Sequence, residues 1–257
     1  SLYLITELVK RTMRIPNIYV DQPLEASSNT VIEGQAAQHL LKVLRMKAGD
    51  QLRLFNGDGK FYPATIQETS KKSFATSIGI AENAVSESKL KTHIGQVMSR
   101  GDRMDYAIQK STEMGVNAIT PLDSERCELR LNNERASKRV QHWQQVAISA
   151  AEQCGRATVP TVHPILNVDD WVQQQSSKGL SLVLHHRDRQ RLSDISPAPG
   201  HVNILIGPEG GLSEAEISMA CDNKFIPSTF GPRVLRTETA PVACLALLQW
   251  LWGDFNT

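Results

Sequence analysis

Two stretches carry the reading of this chain: Leu205-Ile206-Gly207-Pro208-Glu209-Gly210-Gly211-Leu212-Ser213 and, further on, Phe230-Gly231-Pro232-Arg233-Val234-Leu235-Arg236-Thr237-Glu238-Thr239. Each runs from a short apolar strand (residues 202–206, then 225–230) through a Gly-Pro loop towards a helix. Glycines let a main chain come close to a ligand, and prolines hold the loop rigid. Two such loops near one carboxyl edge make a pocket of backbone amides and carbonyls, suited to a flat, hydrogen-bonding ligand such as an adenine nucleoside. Ser213 with Glu216 reads as a capping box, so a helix begins directly after the first loop.

Upstream of these loops, strands and helices alternate. Residues 93–99 read as a strand, 102–114 as a helix ended by Gly115, and 117–122 as a strand. A long helix is expected over residues 133–154, with Val140, Trp143, Ala147, Ala150 and Cys154 on one side. A shorter helix starts near Asn167, and a strand covers 180–184. This alternation predicts an α/β domain with a largely parallel sheet. Residues 18–82 differ: short β segments surround one helix, expected over 36–46 with Leu40, Leu41, Val43 and Leu44 at helical spacing. The run Asn56-Gly57-Asp58-Gly59-Lys60 marks a hairpin between strands 51–55 and 61–68. That part reads as a small barrel, and the polar, aperiodic residues 83–91 as a linker.

With 257 residues the chain is long enough for one or two domains. Its most apolar stretch, 241–252, is too short to cross a bilayer and is interrupted by Gln249, which predicts a buried helix. Cys127, Cys154, Cys221 and Cys244 make no C-x-x-C pair, the pattern of reduced thiols in a cytoplasmic protein. A net charge of +1 does not announce a nucleic-acid binder; an RNA enzyme with this balance must gather its basic residues on one surface. Residues 1–12 lack the features of a secretory signal and read as an extension without an assigned role.

Gly-Pro-Glu-Gly-Gly-Leu together with Gly-Pro-Arg-Val-Leu-Arg-Thr-Glu-Thr resembles the signature of the RsmE family. Further matching segments are Met13-Arg14-Ile15-Pro16, residues 39–45 with Gly49-Asp50, residues 109–116, Ser124-Glu125-Arg126-Cys127 and Glu152-Gln153-Cys154-Gly155-Arg156. The family consists of S-adenosylmethionine (SAM)-dependent methyltransferases of the SPOUT superfamily, which methylate N3 of a uridine in 16S ribosomal RNA and release S-adenosylhomocysteine. The resemblance implies a PUA-like RNA-binding β-barrel over 13–82 and a SPOUT α/β domain with a C-terminal trefoil knot over 92–257. It also implies a homodimer with SAM near the subunit contact, a substrate within the 30S subunit, and no metal or membrane.

The resemblance places the cofactor against His185, Ile206, Gly207, Pro208, Glu209, Gly210, Gly211 and Leu212 from one side. Gly231, Val234, Leu235 and Arg236 face it from the other. Arg236 is expected to stabilise charge developing on the uracil oxygens, since arginine stays protonated and offers a planar fork to oxygen; an ion pair with Glu238 or Glu209 is the competing reading. Lys110 and Glu113 share a helix face, which suits either a proton-accepting Glu113 or a simple surface pair. Arg126 and Arg156, in a polar set with Glu152 and Gln153, are candidates to hold RNA or the flipped uracil. Arg14, Lys42, Arg45, Lys47, Arg100 and Arg103 supply further basic groups for phosphate. Phe61 and Tyr62 are read as base-stacking or core residues. His185-His186 lacks further ligands at metal spacing, so no metal is expected. Two other readings remain: a non-catalytic rRNA-binding or assembly factor with this fold, and an anion-loop enzyme, which the missing P-loop and G-x-G-x-x-G patterns disfavour.

Overall fold

The computed structural model describes residues 15–85, 87–185, 192, 195 and 197–256. The chain divides into two compact units, Ser1–Ser86 with Glu152–Thr158, and Glu87–Ala151 with Val159–Thr257.

The first unit is a mostly antiparallel sheet of β1 (Asn17–Tyr19), β2 (Asn29–Ile32), β3 (Gln51–Phe55), β4 (Lys60–Thr69), β5 (Phe74–Ile78) and β6 (Glu82–Asn83). Its strand path is β1-β3-β4-β5-β2, with β6 on β4. The β3–β4 turn is fixed by Asp58: its carboxylate accepts from Lys60 N (2.9 Å) and from the Tyr62 hydroxyl (2.6 Å). That bond, with burial, pushes the Tyr62 phenol up to about 12. Phe61 and Tyr62 are both buried, and Phe61 packs edge-on against Phe55 with the Arg53 guanidinium over its ring, so both are core and neither stacks on a base.

Three expectations need correction here. The helix expected over 36–46 is a short α-helix, α1 (Gly34–Gln38), followed by a π-helical turn, His39–Val43. Bonds from Leu44 N to His39 O and from Met46 N to Leu40 O lengthen the turn beyond the usual i→i+4. Residues spaced for 3.6 per turn then no longer share a face: Leu40 is fully buried while Val43 is 66% exposed. The expected linker is also shorter at both ends, because Asn83 still pairs with Lys60 and Lys91 already belongs to the next sheet. The segment around Glu152, read as part of the second domain, groups with the first unit. There the Glu152 carboxylate accepts from Tyr19 N (2.9 Å), and burial raises its pKa above the ordinary carboxylate value.

The second unit alternates as the sequence predicts. Its elements are β7 (Lys91–Val97), α2 (Arg103–Glu113), β8 (Ala118–Asp123), α3 (Asn133–Cys154), β9 (Thr161–Val162), β10 (Leu166–Asn167) and α4 (Val168–Gln175). They continue through β11 (Leu180–Leu184), β12 (His201–Ile206), α5 (Glu214–Asp222), β13 (Ile226–Ser228) and α6 (Thr239–Trp252). The sheet order is β10-β8-β7-β12-β11-β13, with β9 on β8, and every pairing is parallel. Central β12 carries Val202, Ile204 and Leu205 with no exposure, the run expected of a strand covered on both faces. On α3, Trp143, Ala147 and Ala150 are buried as the spacing predicts, while Cys154 is exposed. Within α6, Gln249 is fully buried; it accepts from the Ser88 hydroxyl (2.7 Å) and donates to Met114 O (3.2 Å), tying the last helix to the start of the unit and the end of α2. Among the described residues no helix is long and apolar enough to cross a membrane.

Because all strands are parallel, the carboxyl ends of β11, β12 and β13 lie at one edge, where open α/β sheets bind ligands. The amino-terminal part holds a histidine group instead. His93 is bonded to the Thr120 hydroxyl (2.8 Å) and stands edge-on to Trp171. Burial first, then the positive neighbours His163, His201 and Lys178, lower its pKa from 6.5 to about 3. The unfolded chain therefore binds a proton that the folded chain refuses. The His93 contribution to stability is complete above pH 6.5 and falls as the pH drops from there towards 3, by about 2 kcal/mol at pH 5. Urea unfolding at pH 7 and pH 5 checks this: His93→Gln is expected to lose less stability on acidification than the wild type, and an equal loss would remove His93 as the cause.

Candidate functional site

At that carboxyl edge a cleft of about 480 Å³ opens between the residues that follow β12 and those that follow β13. Residues 206–212 form one wall and residues 233–238 the other, with Leu184 and His185 at the end of β11. Every expected cofactor residue lines it except Gly231, which lies just beyond, at φ 79°. His185 is fixed by its backbone, its N–H donating to Ser228 O (3.0 Å).

Local physics dictates the first wall. At Gly211, φ is +70°, a conformation that L side chains rarely adopt. At Gly207 an added Cβ would stand 3.0 Å from Leu212 N, so a side chain there would push the loop open. The loop closes on its own Gly211 N to Pro208 O bond (2.9 Å), and the expected capping box forms directly after it. Glu216 does more than cap: one carboxylate oxygen accepts from Ser213 N (2.8 Å), the other from Glu125 N (2.9 Å). Next to Glu125, the Arg126 guanidinium donates to Gly210 O (3.1 Å). Residues 125 and 126 thus brace the glycine loop from outside, a job that nothing in their local sequence signals.

The two walls are joined at one point. The Thr237 hydroxyl donates to Gly207 O (3.0 Å) and accepts from the Gln96 amide (2.9 Å). Both side chains are buried, Gln96 at the end of β7 and Thr237 just before α6. Sequence reasoning misses both. The available signal is a polar residue near the end of an otherwise apolar strand.

Charge in the cleft is sorted by a pair that sequence reasoning also misses, Arg103 with Glu209. Glu209 is thereby engaged, and no hydrogen bond or ion pair joins the Arg236 side chain to any described residue. Arg236 instead starts α6 with its carbonyl, which accepts from Thr239 and Ala240. Lys110 and Glu113 do not line the cleft; they pair with each other at 2.8 Å, and that bond raises the Lys110 pKa. Arg100 is paired with Glu128 (3.3 Å). In the first unit Lys42, Arg45 and Lys47 are exposed and Arg156 is half-buried. Arg14 and His186 lie outside the described residues. Among the described residues no group of three or more His, Cys, Asp or Glu side chains is arranged to hold a metal ion.

A family model described as an RNA methyltransferase domain matches residues 86–249, and one described as an RNA methyltransferase PUA domain matches residues 32–78. Ribosomal RNA small subunit methyltransferase E of Buchnera aphidicola subsp. Acyrthosiphon pisum (strain APS) is 33% identical over 98% of this chain and 100% of its own length. This chain belongs to the ribosomal RNA small subunit methyltransferase E family. Two solved structures agree with that membership. A putative methyltransferase from Legionella pneumophila in complex with SAM superposes with a TM-score of 0.90 and 38% identity, covering 95% of this chain and all of its own. The methyltransferase E of Neisseria gonorrhoeae bound to S-adenosyl methionine does so with a TM-score of 0.88 and 38% identity, covering 94% and all of its own.

The join between the walls is open to a direct check. Thr237→Val keeps the shape but strands the Gly207 carbonyl and a Gln96 N–H, at about 1–3 kcal/mol. Urea unfolding is expected to show that loss, and Thr237→Ser to recover most of it. Wild-type stability in Thr237→Val would mean that the bond does not hold the walls.

Proposed function

We propose that this chain transfers the methyl group of SAM to N3 of a uridine in 16S rRNA. The observation that carries the proposal is the cleft itself. Two loops, the first closed by its own backbone bond, face each other at the carboxyl edge of a parallel sheet, in a family whose relatives from Legionella pneumophila and Neisseria gonorrhoeae are solved with SAM. The volume suits a nucleoside-sized ligand, and the exposed backbone groups of the 207–212 and 231–236 loops offer the donors and acceptors an adenosine needs. No metal is invoked.

When bound, SAM supplies a methyl on a sulfonium, transferred as the carbon–sulfur bond breaks and S-adenosylhomocysteine leaves. The chain's own part is to orient and to balance charge. The loops fix the donor so that nitrogen, methyl and sulfur can align. Removing the N3 proton leaves negative charge on uracil O2 and O4, and we assign the Arg236 guanidinium, which lines the cleft, to meet it. Glu113 is engaged by Lys110, so the proposal leaves the proton to water or to the RNA.

The wider reading follows the same family. Residues 13–82 act as a PUA-like barrel that holds RNA, with Lys42, Arg45 and Lys47 as phosphate contacts and Arg156 as a further contact. Residues 92–257 form the SPOUT domain, its last helix threaded through a trefoil knot. Two chains pair with the cofactor near their contact, and the assembled 30S subunit in the cytoplasm is the substrate. Arg126 is given to the loop rather than to RNA, because its Nη1 is spent on Gly210 O.

The test is methyl transfer from labelled SAM to 30S subunits lacking the modification, followed by nucleoside analysis. N3-methyluridine at one site is expected, and Arg236→Ala should lower turnover about 10²-fold or more while SAM affinity stays within a few fold. SAM binding without transfer to 30S or rRNA would overturn the enzyme reading in favour of a non-catalytic RNA binder. A collapse of SAM affinity in Arg236→Ala would overturn the role given to that residue.

A further inference from the structure

In the first unit, the turn that follows α1 presents an apolar tip inside a basic ring. Val43 is 66% exposed and Leu44 40%. Lys42, Arg45 and Lys47 flank them, all three exposed, and none of the three is ion-paired among the described residues. The exposure does not come from a loose chain. Leu44 N donates to His39 O (3.1 Å), Met46 N to Leu40 O (3.2 Å), Lys47 N to the Asp50 carboxylate (2.7 Å) and Asp50 N to Lys47 O (3.1 Å). Leu40 anchors the turn in the core, and Met46 packs against that core.

The geometry of this segment is unusual in two independent ways. An ordinary α-helix through residues 39–44 would bring Val43 round towards the side of Leu40. The wider π turn carries Val43 away from that side, and Leu44, the residue that ends the turn, is also exposed. Arg45 then takes φ +53°, the left-handed region, in a residue that is not glycine. Such conformations persist where the surrounding structure holds them, and they cluster at binding sites. Here the outcome of both is the same: two aliphatic side chains pointing to solvent between three cations.

We infer that Val43 and Leu44 form an apolar wedge that contacts unstacked bases of the RNA while Lys42, Arg45 and Lys47 hold the phosphates around it. The inference rests on the RNA reading above and adds a contact of a different kind. The ring of unpaired cations selects a polyanion, and among polyanions RNA offers apolar base faces at loops, bulges and helix ends. Aliphatic wedges between base steps are an established way for proteins to grip a duplex. A phosphate-only surface would have no use for two exposed aliphatic groups at its centre.

The two kinds of contact differ in their response to salt. Removing one phosphate-binding cation lowers the log–log slope of binding against salt by about 0.7 to 0.9, whereas removing an apolar group changes affinity and leaves the slope alone. The experiment uses the full chain and measures binding to unmodified 30S subunits and to protein-free 16S rRNA over a range of salt. V43S/L44S is expected to bind both at least tenfold more weakly with an unchanged slope and unchanged SAM affinity. The triple variant K42Q/R45Q/K47Q is expected to lower the slope by about 2. Wild-type affinity in V43S/L44S would overturn the wedge. A loss seen on 30S subunits but not on protein-free rRNA would also overturn it, assigning the pair to a ribosomal protein. Failure of the wild-type chain to bind either RNA would overturn the RNA reading itself, and is distinguished by that.

Discussion

One hydroxyl, that of Thr237, joins the two walls of the cleft by reaching the carbonyl of Gly207 across the gap between two loops. The loops arise from β12 and β13, which are not neighbours in the sheet; β11 lies between them. Pairing of both with β11 sets the distance between the strands, and the bond acts on the loops beyond their ends. Gln96, at the end of β7, supports the hydroxyl from the far side of β12, so three strands share in positioning one bond. Both side chains are buried, where an unmade hydrogen bond is costly, and that cost helps to hold the spacing.

A second brace acts on the same loop from outside. Glu216 caps its helix and, with its other oxygen, catches Glu125 N, while Arg126 reaches Gly210 O. A capping carboxylate near a helix N-terminus is favoured by the dipole as well as by its bonds. Rigid backbone groups are then available to a ligand without loss of side-chain entropy on binding, which is the advantage of a preorganised site. Electrostatics follows from the same arrangement. Arg103 takes up Glu209, and among the described residues none pairs with the Arg236 side chain at the wall of the cleft. Charge stabilisation by a fixed donor is most effective where it needs no rearrangement at the moment of reaction.

Much of this is legible in the sequence because the signals are local. The Gly-Pro loops, the capping box at Ser213 and Glu216, the α/β alternation and the ends of the Asn133–Cys154 helix are all written in adjacent residues. What escapes reading depends on pairings between residues far apart in the chain. Gln96 meets Thr237, Arg103 meets Glu209 and Arg126 meets Gly210 only after the sheet is assembled. A basic side chain in sequence shows its charge and not its partner, so neither the Arg126–Gly210 nor the Arg103–Glu209 contact is visible there. The turn at 39–43 fails for another reason: apolar periodicity assumes 3.6 residues per turn, and a π turn breaks that count without a glycine or proline to announce it. Phe61 and Tyr62 show the limit of aromatic side chains as base-stacking signals, since burial accounts for both.

The central claim is that the two loops together form the cofactor site. Hydrogen–deuterium exchange of the full chain, with and without S-adenosylhomocysteine, tests it most directly. The account predicts slowed exchange in residues 207–212 and in residues 231–237 together, with the His93 region at the other end of the sheet unchanged. Protection of only one loop, or protection centred elsewhere with both loops unaffected, would contradict it.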